Sequence, residues 1–285
     1  MRARRIATLL LAAHAGLLSL GCDTASSDWA SFTQSFSPPT PGEAARWAVD
    51  PTDAENQRRG VVLLANAPWG GTPAYLAMYR EYLRENRDPL VRVAALEALA
   101  RHGDASDAEL AASALRDKSV QVRVAAAKAL QRLHNPAFTS PMCSRIIDET
   151  EEASVRVELA IALGQYPQDD VFQALAASLD ARELAVNLAA LDSLQLLTRQ
   201  DFGLDRPLWL SWYRSTKTPF RRELQYLYPT YQRSKGFWDY VIFWSPLIFE
   251  KPGIPAGMKP VAAPAPQQPF GNVGDGKAPE AKGAS

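Results

Sequence analysis

Residues Val122–Leu130 have the sequence VRVAAAKAL, and four versions of this stretch occur along the chain. The other versions are residues 91–99 (VRVAALEAL), 155–163 (VRVELAIAL) and 186–194 (VNLAALDSL), and the four closing leucines lie 31, 33 and 31 residues apart. A fixed period of this length is typical of a solenoid, in which each helical unit buries its apolar face only against its neighbours. The repeat therefore predicts an all-α fold of stacked helix pairs.

Five helix pairs are predicted between about residues 41 and 199, and each version of the stretch falls in the second helix of its pair. Glycine, asparagine and proline interrupt the helical pattern where second helices should end, for example at 135–136. No segment alternates apolar and polar residues as a half-buried strand would. A shift of 34 residues places Arg58 over Arg92, which indicates a degenerate first copy of the repeat.

Three arginines, Arg92, Arg123 and Arg156, recur at the same position of the repeat. This recurrence predicts a structural ladder in which each guanidinium bonds preceding backbone carbonyls or an acid such as Asp117. The planar, five-donor guanidinium suits this task better than an ammonium group does. A row of anion-binding arginines is the functional alternative. Asn187 interrupts the row in the last copy, as is common in terminal repeats.

The pattern D-x-x-V-x-V-R-V-A-A-A-x-A-L, from Asp117 to Leu130, resembles HEAT repeats, and in particular the short bacterial type. The resemblance covers roughly residues 41–199 and implies a right-handed superhelix of antiparallel helix pairs whose concave face binds other proteins. The segment 197–205, followed by Trp209 and Trp212, resembles the closing segment of many bacterial HEAT-repeat proteins. Some HEAT-like proteins are bilin lyases that handle a tetrapyrrole, but no residue set in this chain carries that activity over.

The first 21 residues resemble the signal peptide of bacterial lipoproteins. Three arginines precede an apolar run, Ile6–Leu20, and the stretch LSLG leads directly into Cys22. The run is shorter than the roughly 20 apolar residues that a membrane-spanning helix needs. In that family the cysteine is lipidated and becomes the N-terminus, which implies an anchor in the cell membrane facing the periplasm or the exterior. Asp23 resembles the signal that retains lipoproteins in the inner membrane.

The chain divides by composition into five parts. Residues 1–21 form the lipoprotein signal peptide, 22–40 a flexible tether rich in serine, threonine and proline, and 41–200 the HEAT-like repeat domain. Residues 201–250 form an aromatic-rich helical cap. Residues 251–285 are predicted to be disordered, because a segment with so little apolar bulk cannot offset its ordering entropy.

More than half of the aromatic residues of the chain lie in the predicted cap. Trp209, Trp212 and Tyr213 fit one helical face that would cover the last repeat. The run Tyr240–Phe249 admits three interpretations, which are a part of the cap folded back on itself, a patch that binds a partner, or a segment at the membrane interface.

Composition and motifs also limit the class of function. The formal net charge is 0 and no dense basic stretch occurs, so a nucleic-acid partner is not expected. Cys143 is the only cysteine besides Cys22, which excludes a zinc framework and, once Cys22 is lipidated, an internal disulfide. No hydrolase, metalloprotease or P-loop motif is present. We therefore expect no cofactor, no small-molecule substrate and no catalysis.

The function that these features predict is a membrane-anchored scaffold that presents a HEAT-repeat surface to a protein partner. A structural subunit of an envelope assembly is the main alternative, and a lyase-type HEAT-like enzyme is a third. Repeated residues should pack between repeats, so that the variable positions are better candidates for partner contacts. These candidates are Glu97, Lys128 and Asp192 on the second helices, and Trp238 and Trp244 in the aromatic end.

Overall fold

Eleven α-helices and two short 3-10 helices, Ala105–Asp107 and Pro136–Phe138, form the regular structure of the residues that the computed structural model describes, which are 39–221, 225–230 and 250–261. Within these residues there is no β-strand, and only two isolated bridges occur. The helices are α1 (Pro41–Ala48), α2 (Ala54–Asn66), α3 (Pro73–Glu85), α4 (Pro89–His102), α5 (Ala108–Ala114), α6 (Val120–Leu130), α7 (Thr139–Ile146), α8 (Ala153–Leu163), α9 (Asp169–Ser178), α10 (Leu184–Thr198) and α11 (Arg206–Ser215).

The first ten helices form five pairs, α1/α2 to α9/α10, which confirms the predicted all-α solenoid. Short connections make the two helices of each pair antiparallel neighbours. The second helices contact one another in an unbroken row, α2–α4–α6–α8–α10, whereas the first helices are less closely apposed. The array is therefore tightest along the second helices, and we call their solvent-facing side the inner face.

Local sequence explains where the helices begin. The carboxylates of Asp53 and Asp88 accept hydrogen bonds from the first-turn N–H groups of α2 and α4. Thr40 and Glu43 form a reciprocal capping box at the start of α1. Such caps satisfy backbone donors that have no partner inside the helix, and each typically contributes about 1 kcal/mol.

The core runs through the whole array and consists of the repeated residues. The four closing leucines, Leu99, Leu130, Leu163 and Leu194, are at most 1% exposed. Alanines between them let neighbouring second helices approach closely, while the leucines fill the layer between repeats. The repeated positions are therefore packing positions, as the sequence predicts.

Arg92 and Arg123 join each helix pair to the next. Nε and Nη2 of Arg92 each donate to the carboxylate of Asp117 at 2.9 Å, and its Nη1 donates to the carbonyl of Asn86 at 2.8 Å. Arg123 repeats this pattern with the carboxylate of Glu151 (Nη2–Oε1 2.8 Å) and the carbonyl of Asp117 (2.9 Å). Each guanidinium thus bonds the loop inside its own pair and an acid in the equivalent loop of the next pair.

The ladder weakens toward the C-terminal end. Arg156 donates through Nε to the carbonyl of Ile146 at 2.8 Å and reaches Glu183 only through Nη1, at 3.1 Å. Asn187 follows in register, and its side-chain amide donates to the carbonyl of Leu179 without any acid. Asn187, which interrupts the arginine row, therefore keeps the hydrogen bonds to backbone carbonyls of its own pair but forms no ion pair with a following repeat.

The first pair keeps the register of the repeat but not its arginine contacts. A shift of 34 residues places the buried Gly60, Val61, Leu64 and Ala65 of α2 over the buried Ala94, Ala95, Ala98 and Leu99 of α4. Arg58 pairs with Glu55 of its own helix at 2.7 Å. The neighbouring Gln57 reaches the next loop instead, where its side-chain oxygen accepts from Asn86 at 3.0 Å. Arg58 therefore does not extend the ladder of Arg92.

The aromatic helix α11 packs against α9 at the end of the array. Trp209 is fully buried, and its indole N–H donates to the carbonyl of Gly203 at 2.9 Å. Tyr213 stacks on Phe172 of α9 with ring centroids 4.0 Å apart. This part of the predicted cap therefore covers the apolar end of the last repeat.

Two parts of the C-terminal region, residues 225–230 and 250–261, return to the middle of the array, and we call them together the strap. The N–H of Ala256 donates to the carbonyl of Arg132 at 2.7 Å, and the carbonyl of Ala256 accepts from the N–H of His134 at 2.8 Å. The two parts also bond each other through a further backbone hydrogen bond of 2.9 Å. The strap thereby connects the C-terminal region to the backbone that follows α6.

The predicted disorder of residues 251–285 has to be corrected for residues 251–261. That prediction rested on the lack of apolar side chains, whereas the strap is held by backbone hydrogen bonds and by ionic contacts, which composition does not reveal. Several sequence predictions lie outside the described residues, namely the signal peptide, the tether up to residue 38, the run Tyr240–Phe249 and the tail from residue 262.

Replacing Arg123 by lysine is expected to lower the free energy of unfolding by about 1–3 kcal/mol, because one ammonium group cannot bond Glu151 and the Asp117 carbonyl together. The side chain of Glu151 is only 1% exposed, so the lost bonds are not replaced by water. Urea denaturation measures the change. The control is Arg116→Lys at an exposed position, where a change within about 0.5 kcal/mol is expected. Equal effects of the two substitutions would contradict the ladder.

Replacing Gly257 by alanine is expected to release the strap. Gly257 has φ +92°, and a Cβ there would stand 2.6 Å from the Cβ of Ala105 and 2.6 Å from the carbonyl oxygen of His134. The amide hydrogens of Ala256 and His134 should then exchange faster by about tenfold or more. The matched control is Gly203→Ala, since Gly203 also has positive φ (+55°) but no atom lies within 4 Å of its Cβ position. Unchanged exchange in Gly257→Ala would show that the strap is not docked.

Candidate protein-binding face

The inner face is built from corresponding positions on successive second helices. Position 93 of α4 corresponds to 124, 157 and 188, and position 97 corresponds to 128, 161 and 192. The first row consists of valines and a leucine that are half-buried or exposed, and Leu188 is 45% exposed. The second row contains three of the residues that the sequence singles out for partner contacts. The helical period thus brings the apolar row and the variable row side by side.

A groove of about 330 Å³ lies on this face between α4, α6 and α8. Valines form much of its lining, and one acid and one base stand among them. The lining residues are Val93, Glu97, Val120, Gln121, Val124, Ala125, Lys128 and Ser154. Such a groove offers apolar contact along its length and charged groups of both signs.

Glu97 has an exposed side chain, but the concave surroundings still crowd it. Partial burial raises the pKa of Glu97, and the positive charges of Lys128 and Arg101 oppose that increase. Because the side chain reaches solvent, which screens its charge, this pKa shift contributes little to the stability of the fold. A cationic group of a partner would favour the ionised carboxylate and would bind there.

Lys128 and Asp192 continue the row that begins at Glu97. Nζ of Lys128 lies 3.6 Å from the carboxylate of Glu158, and both side chains are partly buried. Asp192 is exposed. The structure therefore places all three candidate residues of the second helices on one face.

The strap covers the inner face at the C-terminal end of α6. Arg132 follows Lys128 by about one helical turn and is 3% exposed. Its guanidinium lies over the ring of Tyr228 at 4.5 Å, donates to the carbonyl of Pro229 at 3.3 Å and forms an ion pair with Glu250. The desolvated cation thus has aromatic, backbone and carboxylate partners, which is the arrangement that a buried charge requires.

The contacts of Arg132 could not be predicted from the sequence. Glu250 lies 118 positions further along the chain, and neither Tyr228 nor Pro229 belongs to any periodic pattern. The sequence indicates only that Arg132 corresponds to Arg101 one repeat earlier, near the end of the second helix of the pair. Trp238, Trp244, Cys22 and Asp23 lie outside the described residues.

The described residues include no candidate metal site, and two of their partly buried titratable side chains have shifted pKa values. No group of three histidine, cysteine or acidic side chains among them could hold a metal ion. Burial raises the pKa of Cys143 to about 12, so its thiol stays protonated and unreactive at neutral pH. Burial also lowers the pKa of His134, whose ring stacks on Tyr166 at 4.7 Å and bonds Gln165 at 2.9 Å. His134 is therefore a structural, neutral ring.

Across residues 39–221, 225–230 and 250–261, no helix has the length and apolar character required to cross a membrane.

A family model described as HEAT repeats matches residues 76–151, which extend from within α3 to the loop between α7 and α8. Among solved structures, the chain is similar to YibA of Escherichia coli, with 18% identity and a TM-score of 0.48 over 62% of this chain and 64% of that one. It is also similar to human deoxyhypusine hydroxylase in complex with glycerol, with 17% identity and a TM-score of 0.30 over 55% of this chain and 85% of that one.

The similarity to YibA thus spans less than two thirds of the length of that protein. No curated protein matches the sequence. The helix pairs and their packing define an all-α solenoid, and residues 76–151 of it match HEAT repeats.

Proposed function

We propose that this protein is a membrane-anchored, non-catalytic scaffold whose inner face binds another protein. The observation that carries the proposal is the row of apolar residues at positions 93, 124, 157 and 188, in which the three valines are half-buried against the core and Leu188 reaches solvent. Leu90 and Leu188 are 46% and 45% exposed on this face. Apolar surface with charged residues at its rim, as in the groove between α4, α6 and α8, is a feature of protein-binding sites.

The charges on the inner face favour a partner that presents its own alternating charges. Glu97 and Lys128 flank the valine-lined groove, and Asp192 lies further along the same row. A helix or extended segment with apolar side chains and opposite charges at matching intervals would bury the valines and pair with the charged positions. Such pairs contribute more to specificity and to the rate of association than to affinity.

The membrane anchor in this proposal rests on Cys22 and its flanking sequence. The stretch LSLG before Cys22 resembles a lipoprotein processing site, and residues 22–40 are long enough to hold the array away from the bilayer. A lipid on Cys22 would place the inner face in the periplasm or at the cell exterior, and Asp23 favours the inner membrane.

Position-specific photocrosslinking in native membranes tests the scaffold. We expect a crosslinker at Glu97 on the inner face to capture a partner, and a crosslinker at Glu109, exposed on the first helix α5, to capture none. The substitution Leu188→Asp should abolish the adduct, whereas Leu204→Asp, at a 41% exposed leucine outside the inner face, should leave it unchanged. Equal capture at the two crosslinking positions would contradict the proposal.

The stoichiometry of the adduct separates two forms of the scaffold. A single partner at a fixed ratio indicates a structural subunit of an envelope assembly, and several substoichiometric partners indicate an adaptor.

Palmitate labelling in the native cell tests the anchor. Cys22→Ala should lose the label and be depleted from the membrane fraction, because the proposal places the lipid anchor on this cysteine. Cys143→Ala is the matched control and should keep both label and location, since Cys143 lies partly buried in the repeat domain. Label that persists in Cys22→Ala would show that the anchor is wrong.

A further inference from the structure

A second concave site lies away from the inner face, between the C-terminal end of α10 and the end of α11. It has a volume of about 450 Å³. Its lining combines two arginines with hydroxyl, amide and aromatic groups, and none of the described residues that form it is an acid. The lining residues are Thr198, Arg199, Gln200, Trp212, Thr216, Thr218, Pro219, Phe220 and Arg221.

Arg199 has a conformation that an arginine rarely adopts. It follows α10 with φ 62° and ψ 16°, in the left-handed region, and among the described residues it is the only non-glycine residue with positive φ. Glycine is the usual residue at this position because an L side chain there is strained. The chain therefore keeps a strained arginine where glycine would be relaxed, and such outliers concentrate at functional sites.

The guanidinium of Arg199 has no structural task among the described residues. Its backbone N–H closes α10 by donating to the carbonyl of Gln195 at 2.8 Å, a bond that any non-proline residue would make. Its side chain forms no hydrogen bond or ion pair with the residues that the structure describes. Helix capping by the backbone thus does not explain why this residue is an arginine.

Arg221 has a buried donor without a partner. Its backbone N–H donates to the carbonyl of Leu197 at 2.9 Å and its Nη1 to the carbonyl of Leu196 at 3.4 Å, so it covers the last carbonyls of α10. Its Nε is sealed from solvent and has no hydrogen-bond partner among the described residues. Buried donors of this kind are rare, and a bound anion is one of the groups that satisfies them.

We propose that this site binds a phosphate-bearing ligand between Arg199 and Arg221. Guanidinium groups match phosphate oxygens with paired, charge-assisted hydrogen bonds. The amide of Gln200 and the hydroxyl of Thr218 add neutral donors, and Trp212 provides an apolar wall for the group that carries the phosphate.

The net charge of the site favours an anion, although the C-terminus of α10 contributes a partial negative charge. The C-terminus of a helix presents about half a negative charge, whereas the two arginines bring two full positive charges. Arg221 also covers the carbonyls that carry the negative end of the α10 dipole. Asp201 is the acid nearest to Arg199 in sequence, and its carboxylate accepts from the N–H of Gly203 at 3.0 Å.

Inorganic phosphate is the first probe, used with the full chain carrying Cys22→Ala so that no lipid anchor interferes. We expect phosphate to raise the thermal midpoint saturably. Arg199→Gly removes the cation and also relieves the left-handed strain, so its midpoint without phosphate should be equal or higher. The same substitution should weaken phosphate binding by about tenfold or more. A folded variant that loses binding separates ligand recognition from stability.

Arg214→Ala is the matched control, because Arg214 is an exposed arginine of α11 that does not line the site. It should bind phosphate as the parent does. Absence of any phosphate effect in the parent, or an equal effect in parent and Arg199→Gly, would overturn the proposal and leave both arginines as helix-end caps.

Vesicles then distinguish the two sources of the phosphate. Binding to phosphatidylglycerol but not phosphatidylcholine vesicles, lost in Arg199→Gly and competed by inorganic phosphate, identifies a lipid headgroup. Phosphate binding without vesicle binding identifies a soluble phosphate ester. Neither result depends on the inner face, so the outcome is independent of the scaffold proposal.

Discussion

The burial of the alanine and leucine face of each second helix against the next is the constraint on which the rest of this structure depends. The alanines allow close approach, and each buried leucine contributes roughly 1.5–3 kcal/mol through its removal from water. Because a repeat buries this face only against its neighbours, the opposite side of the same helices remains in a row that faces solvent. Thus the repeated helices provide both the rigid core and the candidate binding face.

The arginine ladder adds register to this packing. Glu151 is 1% exposed on its side chain and is bonded by Arg123 at 2.8 Å and by Arg145 at 3.3 Å. A carboxylate left unpaired at such depth costs several kcal/mol, so Glu151 tolerates only one position of the preceding arginine. The ladder therefore specifies how each loop sits against the next more than it adds net stability.

The strap adds a contact between parts of the chain that are far apart in sequence to an array in which each helix pair otherwise contacts its neighbours. Arg221 contacts the end of α10, and the strap contacts Arg132 and His134 beside α6, so the C-terminal region contacts both the fifth pair and the third. The strap also covers the C-terminal end of the inner face at α6, and the groove between α4, α6 and α8 lies on the N-terminal side of that covered end.

Most of the repeat fold was determined by the sequence itself, because a period of 31 to 33 residues and the spacing of Val, Ala and Leu express local helix geometry and nearest-neighbour packing. The same period placed Glu97, Lys128 and Asp192 on one face. Only the tertiary structure decided the partners of Arg132, the order of residues 251–261 and the site between Arg199 and Arg221. These features join residues far apart in sequence through backbone bonds and single ion pairs, which have no period and no compositional signature.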